Sequence, residues 1–385
     1  MGNCHQNSII PGIFQHDQIK IENYSQFSSF RKQISLVINN SKGNIKSLIQ
    51  ELSQKMIQYQ QITHYYISFE SEDFINHIGN LDNAFKQSNQ LIELSLNFQR
   101  LSIQNNGLKK IGQCLQHCQK LKRLELCLGS NQFTYEGIQS LCKTITKLKL
   151  LQRVFLELYV NQLESDSIID LGEVVAQMPC LISLKLDFSQ LHKFIYQSNQ
   201  FKKNSFNNVQ FDGIQQFVNS VNKSEQIQYL DLTLEQNSLK NIFSLNNFFK
   251  NSVNNILDIG SLAFKQIEQK IQLTQLSLSL WQISFNKSQQ LSLNSIKHFS
   301  SNNISNVDQL IDSICQLYNL YYLVIDLSYN PIGALVDQLE IAKKFNNLKK
   351  LLVFKFKMRV TANHRIAKKY VKINFKKLIT MQFNS

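Results

Sequence analysis

The sequence predicts an α/β fold: a solenoid curved like a horseshoe, with parallel strands on its concave face and helices on its convex face. Three observations predict it. The stretch LKRLELCLGSNQF starting at Leu121 returns thirty residues later as LQRVFLELYVNQL starting at Leu151, an internal repeat at a period typical of stacked modules. Each copy has a first half in which apolar residues alternate, as in Leu230, Leu232 and Leu234 or Leu276, Leu278 and Leu280, the period of a strand with one buried face. Each also has a second half in which they recur at i, i+3, i+4 and i+7, one stripe of a helix. Repeated strand and helix must lay the strands parallel, because every helix carries the chain back to its starting edge. One module cannot bury its own leucines, whereas stacked neighbours can.

Taken in order, residues 1–30 carry Pro11, Gly12 and mixed polar residues without sustained periodicity, and are expected to be an irregular leader or cap. Residues 31–385 are expected to be one elongated solenoid of about ten modules. The earliest strands are placed at Ile34, Leu36 and Ile38 and at Ile62, Tyr65, Ile67 and Phe69, with the first clear helix over residues 41–56. The first apolar residue of the pattern then falls at Leu91, Leu121, Leu151, Leu181, Ile227, Leu273, Leu320 and Leu348, in steps of 30, 30, 30, 46, 46, 47 and 28. A terminal copy is placed at Phe375, Leu378 and Thr380. Helical stripes such as Ile138/Leu141/Cys142/Ile145 and Ile214/Phe217/Val218/Val221 follow the strands, as do those begun at Ile259, Val307 and Ile332.

The long steps place insertions at residues 190–211, 236–256 and 282–306, between strand and helix. They carry Phe194, Tyr196, Phe201, Phe206, Phe243, Phe248, Phe249, Phe285 and Phe299, more aromatic surface than a solvated linker holds. Either they form a binding rim or they pack on one another and widen the array.

The motif L-x-x-L-x-L-x-L-x-x-N-x-[LIF], fullest at residues 121–133 and 151–163 and nearly complete at 320–332, resembles the leucine-rich repeat family. The likeness is to its ribonuclease-inhibitor-like class with long, helix-containing repeats, and covers roughly residues 60–355. The asparagine is missing from the modules at Leu91 and Leu181, and the strands carry one more apolar alternation than the usual form, which leaves local turn geometry open. The resemblance implies a protein-binding scaffold that grips its partner on the concave side, and some proteins of this class regulate small GTPases.

If the strand leucines face the core, the residues between them face the concave side. The candidate partner-binding residues there are Glu93, Glu125, Phe155, Glu157, Lys185, Asp187, Tyr229, Asp231, Tyr322 and Asp326. A line of carboxylates, Glu125, Glu157, Asp187 and Asp231, would favour a basic protein partner. The alternative is a solvated sheet face on which Arg123, Arg153 and Lys185 pair with acidic neighbours.

Residues 341–385 hold thirteen Lys or Arg and no Asp or Glu, so of the net charge of +14 only about +1 belongs to the rest. Lys355, Lys357, Arg359, Arg365, Lys368 and Lys369 are the candidate anion-binding residues, for nucleic-acid phosphates or an anionic membrane. The competing role is capping, since lysines block an open sheet edge and Val371, Ile373 and Phe375 alternate as a covering strand would.

The seven cysteines are an odd number, and Cys114, Cys118, Cys142 and Cys180 sit where repeats want small buried residues, so a reduced intracellular chain is expected, cytoplasmic in preference to nuclear. No apolar run approaches the ~18 residues of a membrane span, and the N-terminus lacks a secretion-signal profile. Gly2 and Cys4 raise acylation, but Gln6 stands where that pattern asks for Ser or Thr. The abundant Asn, Gln, Ser, Lys and Ile are read as compositional bias only. No nucleophile elbow, phosphate-cradling glycine loop or H-E-x-x-H is present; no enzymatic activity, metal or cofactor is expected. Cys114 and Cys118 lie one helical turn apart, yet His117 falls on another helix face. Trp281, directly after a strand, is assigned to packing. The expectation is a monomeric scaffold without a membrane partner; the alternatives are a nucleic-acid-associated protein and a small-GTPase regulator.

Overall fold

The computed structural model describes residues 32–38, 45–189, 207, 209, 211–224, 226–234, 275–279, 308–317, 319–326, 343–345, 348, 350–359 and 379–384. The leader at 1–30, most of the three insertions, Trp281, and the stripes begun at Ile259 and Ile332 lie outside them. The described residues of Met1–Gln162 and Met178–Leu181 form one compact unit, and those of Leu163–Gln177, Ile182–Leu191 and Asn207–Ser385 a second.

In the first unit parallel strands alternate with helices. The strands are β1 (Gln33–Ile38), β2 (His64–Phe69), β3 (Glu93–Asn97), β4 (Arg123–Cys127) and β5 (Arg153–Glu157), paired in chain order. Alternation sets their buried row: Ile34, Tyr65, Leu94, Leu124 and Val154 stand in register, as do Leu36, Ile67, Leu96, Leu126 and Leu156, and all are buried. The helices are α1 (Ile45–Gln58), α2 (Asp82–Gln87), α3 (Gln104–Leu115) and α4 (Tyr135–Ile145). Their apolar stripes, such as Ile138, Leu141, Cys142 and Ile145, are buried too, so strand and helix leucines supply one interior. Close contact between α3 and α4 needs glycine: a Cβ on Gly112 would stand 2.7 Å from Thr144 Oγ1, and one on Gly137 2.6 Å from Asn105 Oδ1. The module after β2 departs from the pattern. Two 3-10 turns, Glu72–Asn76 and Ile78–Leu81, precede a short α2, and Phe74 stacks on Phe69 and Phe98 at 3.9 and 5.3 Å between ring centres.

The turns after β4 and β5 are held by buried asparagines. Asn131 Oδ1 accepts from the backbone N–H groups of Leu101 and Ile103 at 3.0 and 3.3 Å, and its Nδ2 donates to the carbonyls of Phe98, Leu128 and Gly129. Asn161 repeats this toward Asn131 and Phe133. Each asparagine therefore serves its own turn and the preceding one. That explains why the module at Leu91 keeps its turn without an asparagine: Arg100, Ser130 and Val160 occupy the same left-handed backbone region, at φ 60, 60 and 51°.

The second unit holds β6 (Ser183–Asp187), β7 (Tyr229–Thr233), β8 (Gln275–Ser279), β9 (Tyr322–Asp326), β10 (Val353–Arg359) and β11 (Ile379–Asn384), again parallel and in chain order. Its helices are α5 (Ser165–Ala176), α6 (Phe211–Lys223) and α7 (Asp308–Cys315). Three expectations need correction here. The module at Leu181 does possess its asparagine, which is Asn207: its Oδ1 accepts from Leu163 N–H and its Nδ2 donates to the carbonyls of Phe188 and Ser189. The first insertion thus separates strand from asparagine and ends before 207, not at 211. Secondly, β10 pairs Val353 with Tyr322, so Leu351 and not Leu348 corresponds to Leu320, and Phe354 and Phe356 take the row of Leu323 and Ile325. Leu348 instead matches Leu317 in the preceding turn, where Leu348 N–H bonds the carbonyl of Phe345 as Leu317 N–H does that of Ile314. Thirdly, Phe354, Phe356 and Met358 face Ile379, Met381 and Phe383 in register, one residue beyond the expected Leu378 and Thr380.

Candidate functional site

The candidate residues sit between the buried leucines of successive strands, and each unit holds its own group. In the first unit Glu93 of β3 is the centre. Tyr66 Oη donates to Glu93 Oε2 at 2.8 Å, Arg123 Nη1 lies 3.7 Å from the same oxygen, and His64 Nε2 lies 3.8 Å from Oε1. Arg123 also donates to Glu125 Oε2 at 3.1 Å. Register places these groups together, for His64, Glu93, Arg123 and Arg153 form one row and Tyr66, Ser95, Glu125 and Phe155 the next. Burial, reinforced by the hydrogen bond to Glu93, holds the Tyr66 phenol above its ordinary pKa, so it remains a donor. Gln99 Nε2 donates to Glu157 Oε2 at 2.6 Å.

The expected line of carboxylates open to a partner is altered in this unit. Glu125 is only 4 % exposed and committed to Arg123, and Cys127, which stands between Leu126 and Leu128 in the same alternation, is 1 % exposed. A charge taken so far from water persists only with its partner in place. Phe155 and Glu157 are half-buried, while Arg153 is exposed.

In the second unit Lys185 Nζ lies 3.5 Å from Asp231 Oδ2, the cross-strand pairing of a basic residue with its acidic neighbour. Asp187 accepts from both the N–H and the hydroxyl of Ser189, at 2.9 and 2.5 Å. Burial nevertheless holds its carboxyl above the usual range, against the pull of those donors and of Lys185. Tyr229 and Tyr321 share a hydroxyl–hydroxyl hydrogen bond of 3.1 Å, although β8 lies between their strands. Beside them Tyr322 has its phenol raised by burial and by the Asp231 carboxylate. Asp326 ends β9 in register with Lys357, and Lys355 stands in register with Val324.

The candidate acidic face and the candidate basic end therefore share registers: Lys185, Asp231, Ser277, Val324, Lys355 and Thr380 form one row, and Asp187, Thr233, Ser279, Asp326, Lys357 and Gln382 the next. Lys355, Lys357 and Arg359 lie in β10, inside a strand pair, and the strand beyond them, ITMQFN, carries no charge. Edge-blocking by lysine does not apply to those three, because they are not on the last described strand. Arg365, Lys368, Lys369 and the expected covering strand at Val371, Ile373 and Phe375 lie outside the described residues.

His64, Tyr66, Gln99 and Tyr321 were not among the sequence candidates. His64 and Tyr66 were legible, since they alternate with Tyr65 and Ile67 one period before Glu93. Gln99 and Tyr321 lie just outside their strands, where alternation carries no signal. Among the described residues no group of three or more His, Cys, Asp and Glu could hold a metal. His117 Nε2 is 3.1 Å from Asp82 Oδ1, and burial pushes the Cys114 thiol up to about 12 and the Cys118 thiol higher still, which disfavours thiolate chemistry.

No protein-family model matches the chain, and no curated protein matches it. Among solved structures, the actin-binding site 2 of leiomodin-1 is similar over 42 % of this chain and 77 % of its own, at 12 % identity and a TM-score of 0.28. A likeness that slight carries no argument about function.

Proposed function

We propose that the chain is a leucine-rich repeat solenoid of the ribonuclease-inhibitor-like class, curved with its strands inside, and that it is a non-catalytic scaffold binding a protein on the strand face. The observation that carries this reading is the arrangement on the second unit's sheet. Tyr229, Tyr321 and Tyr322 stand beside the Lys185–Asp231 pair, held by the Tyr229–Tyr321 hydrogen bond. Tyrosines supply large contact area with a polar tip at small entropic cost, which is why they concentrate at protein interfaces. The existing ion pair leaves little unpaired acid there, so the partner need not be strongly basic.

The test is affinity capture with the full chain and with a Tyr229→Ala/Tyr322→Ala variant whose circular dichroism matches. A protein captured by the parent and lost from the variant supports the reading. Equal capture by both removes this face from consideration. Capture of nucleic acid alone, lost above ~0.2 M salt and on reversing Lys355, Lys357 and Arg359, would instead favour the second reading, which rests on Lys355 and Lys357 standing in register with Val324 and Asp326 of β9, two and four residues past Tyr322.

A further inference from the structure

The first unit carries a second surface that neither the acidic face nor the C-terminal charge explains. Because its strands are parallel, every helix-to-strand turn emerges at the same edge of its sheet. The turns before β4 and β5 lie side by side there, tied by hydrogen bonds from Gln152 N–H and Arg153 N–H to the carbonyl of Lys122 at 2.8 and 3.0 Å. Lys120, Lys122, Lys147, Lys149 and Arg153 crowd these two turns, and all five are exposed. Neighbouring strands are ~4.8 Å apart, so these charges lie well within a screening length of one another. Among the described residues none of the five has a carboxylate within ion-pair distance; Lys120 donates to the neutral Gln90.

Some basic charge near helix C-termini is expected, because it complements the helix dipole. Five uncompensated cations exceed that need, and they surround an apolar group that the dipole does not explain. Leu150, between Lys149 and β5, is 45 % exposed. Only one other large hydrophobic residue among the described residues is comparably exposed: Leu352 at 41 %, in the turn before β10 of the second unit, two residues after the exposed Lys350. Isolated exposed leucines are ordinary. Here both fall in a helix-to-strand turn, and both accompany lysine.

We propose that this edge of the first unit docks on an anionic lipid surface, the lysines and Arg153 contacting headgroups and Leu150 entering the acyl boundary. A nucleic-acid partner fits less well, because these two turns offer no Phe, Tyr or Trp for base stacking, their one imidazole, His117, is engaged by Asp82 at 3.1 Å, and a nucleic acid gives a leucine no role. Juxtamembrane lysines contribute additively to such binding, and a single inserted side chain adds an apolar part that salt does not screen. The surface uses none of the residues of the tyrosine face, and reverses the expectation that no membrane is involved.

Flotation of the full chain with vesicles tests it, using phosphatidylcholine alone and with roughly a third phosphatidylserine, an anionic fraction in the range that attracts basic segments. The expected result is binding to the anionic vesicles only. Lys147→Glu/Lys149→Glu should weaken it by more than about 25-fold, at roughly fivefold per lysine removed. Leu150→Ser should weaken it several-fold and abolish the fraction remaining at high salt, whereas reversal of Lys355, Lys357 and Arg359 should leave most of it. Absence of binding to anionic vesicles overturns the proposal. So does binding lost with the β10 reversals yet kept by the Lys147/Lys149 variant, or binding to single-stranded RNA in preference to vesicles.

Discussion

Asn131→Ala is the perturbation that tests the stacked-module architecture most directly. Asn131 is fully buried, and its side chain satisfies backbone groups of two consecutive turns. Alanine would orphan the N–H groups of Leu101 and Ile103, both buried residues, at about 1–3 kcal/mol each, and would leave the carbonyls of Phe98, Leu128 and Gly129 without its amide donor. The expected loss is roughly 2–6 kcal/mol, a large share of the ~5–15 kcal/mol that separates folded from unfolded chains. Urea unfolding with matched m-values is the assay, and Asn97→Ala is the control, since Asn97 bonds only the N–H two residues on, that of Gln99. Asn131→Asp should be no better at neutral pH. A carboxylate keeps the acceptor but removes the donor and buries a charge. If Asn131→Ala costs no more than Asn97→Ala, the reasoning that one asparagine binds two modules is refuted.

Two further outcomes follow from buried polar groups. Tyr65 is fully buried in the leucine row and its hydroxyl has no hydrogen-bond partner among the described residues, so Tyr65→Phe should be neutral or stabilising by about 1 kcal/mol in the same assay; a clear loss would reveal an unrecognised partner. Asp187 has a folded-state pKa raised above its unfolded value, so its contribution to stability is fully present below the unfolded pKa and is lost as pH rises through the folded one. Asp187→Asn, which keeps an acceptor for Ser189, should therefore gain stability relative to the parent as pH rises from about 4 to 7; a difference that shrinks over that range would contradict the sign.

How far the candidate site could be read in advance depended on which side of the backbone carried the information. Glu93, Glu125, Tyr229 and Asp231 were placed between leucines by alternation alone, and strand pairing sets Glu93 beside Arg123 and Asp231 beside Lys185. Their partners were not legible. That Glu125 is committed to Arg123 while Arg153 stays exposed depends on side-chain reach and covering atoms, to which a period of two is blind. The errors in the last modules share one cause: with leucine, phenylalanine and lysine closely interleaved after residue 345, several frames satisfy the pattern, and only strand pairing selects one.

By itself, the sequence determined the alternation of parallel strands with helices and the leucine rows of the first unit's strands, because burial of apolar side chains at periods of 2 and 3.6 is a local constraint that each module repeats. Tertiary structure decided the bonds that join modules. Asn207 takes up its post only after an insertion that pushes it sixteen residues beyond the expected position at 191, and Asn131 serves a turn thirty residues upstream. The sharing of registers by the acidic residues and β10, and the gathering of lysines around Leu150, likewise needed the sheet. These features depend on which strand lies beside which, a relation between distant segments that no window along the chain contains.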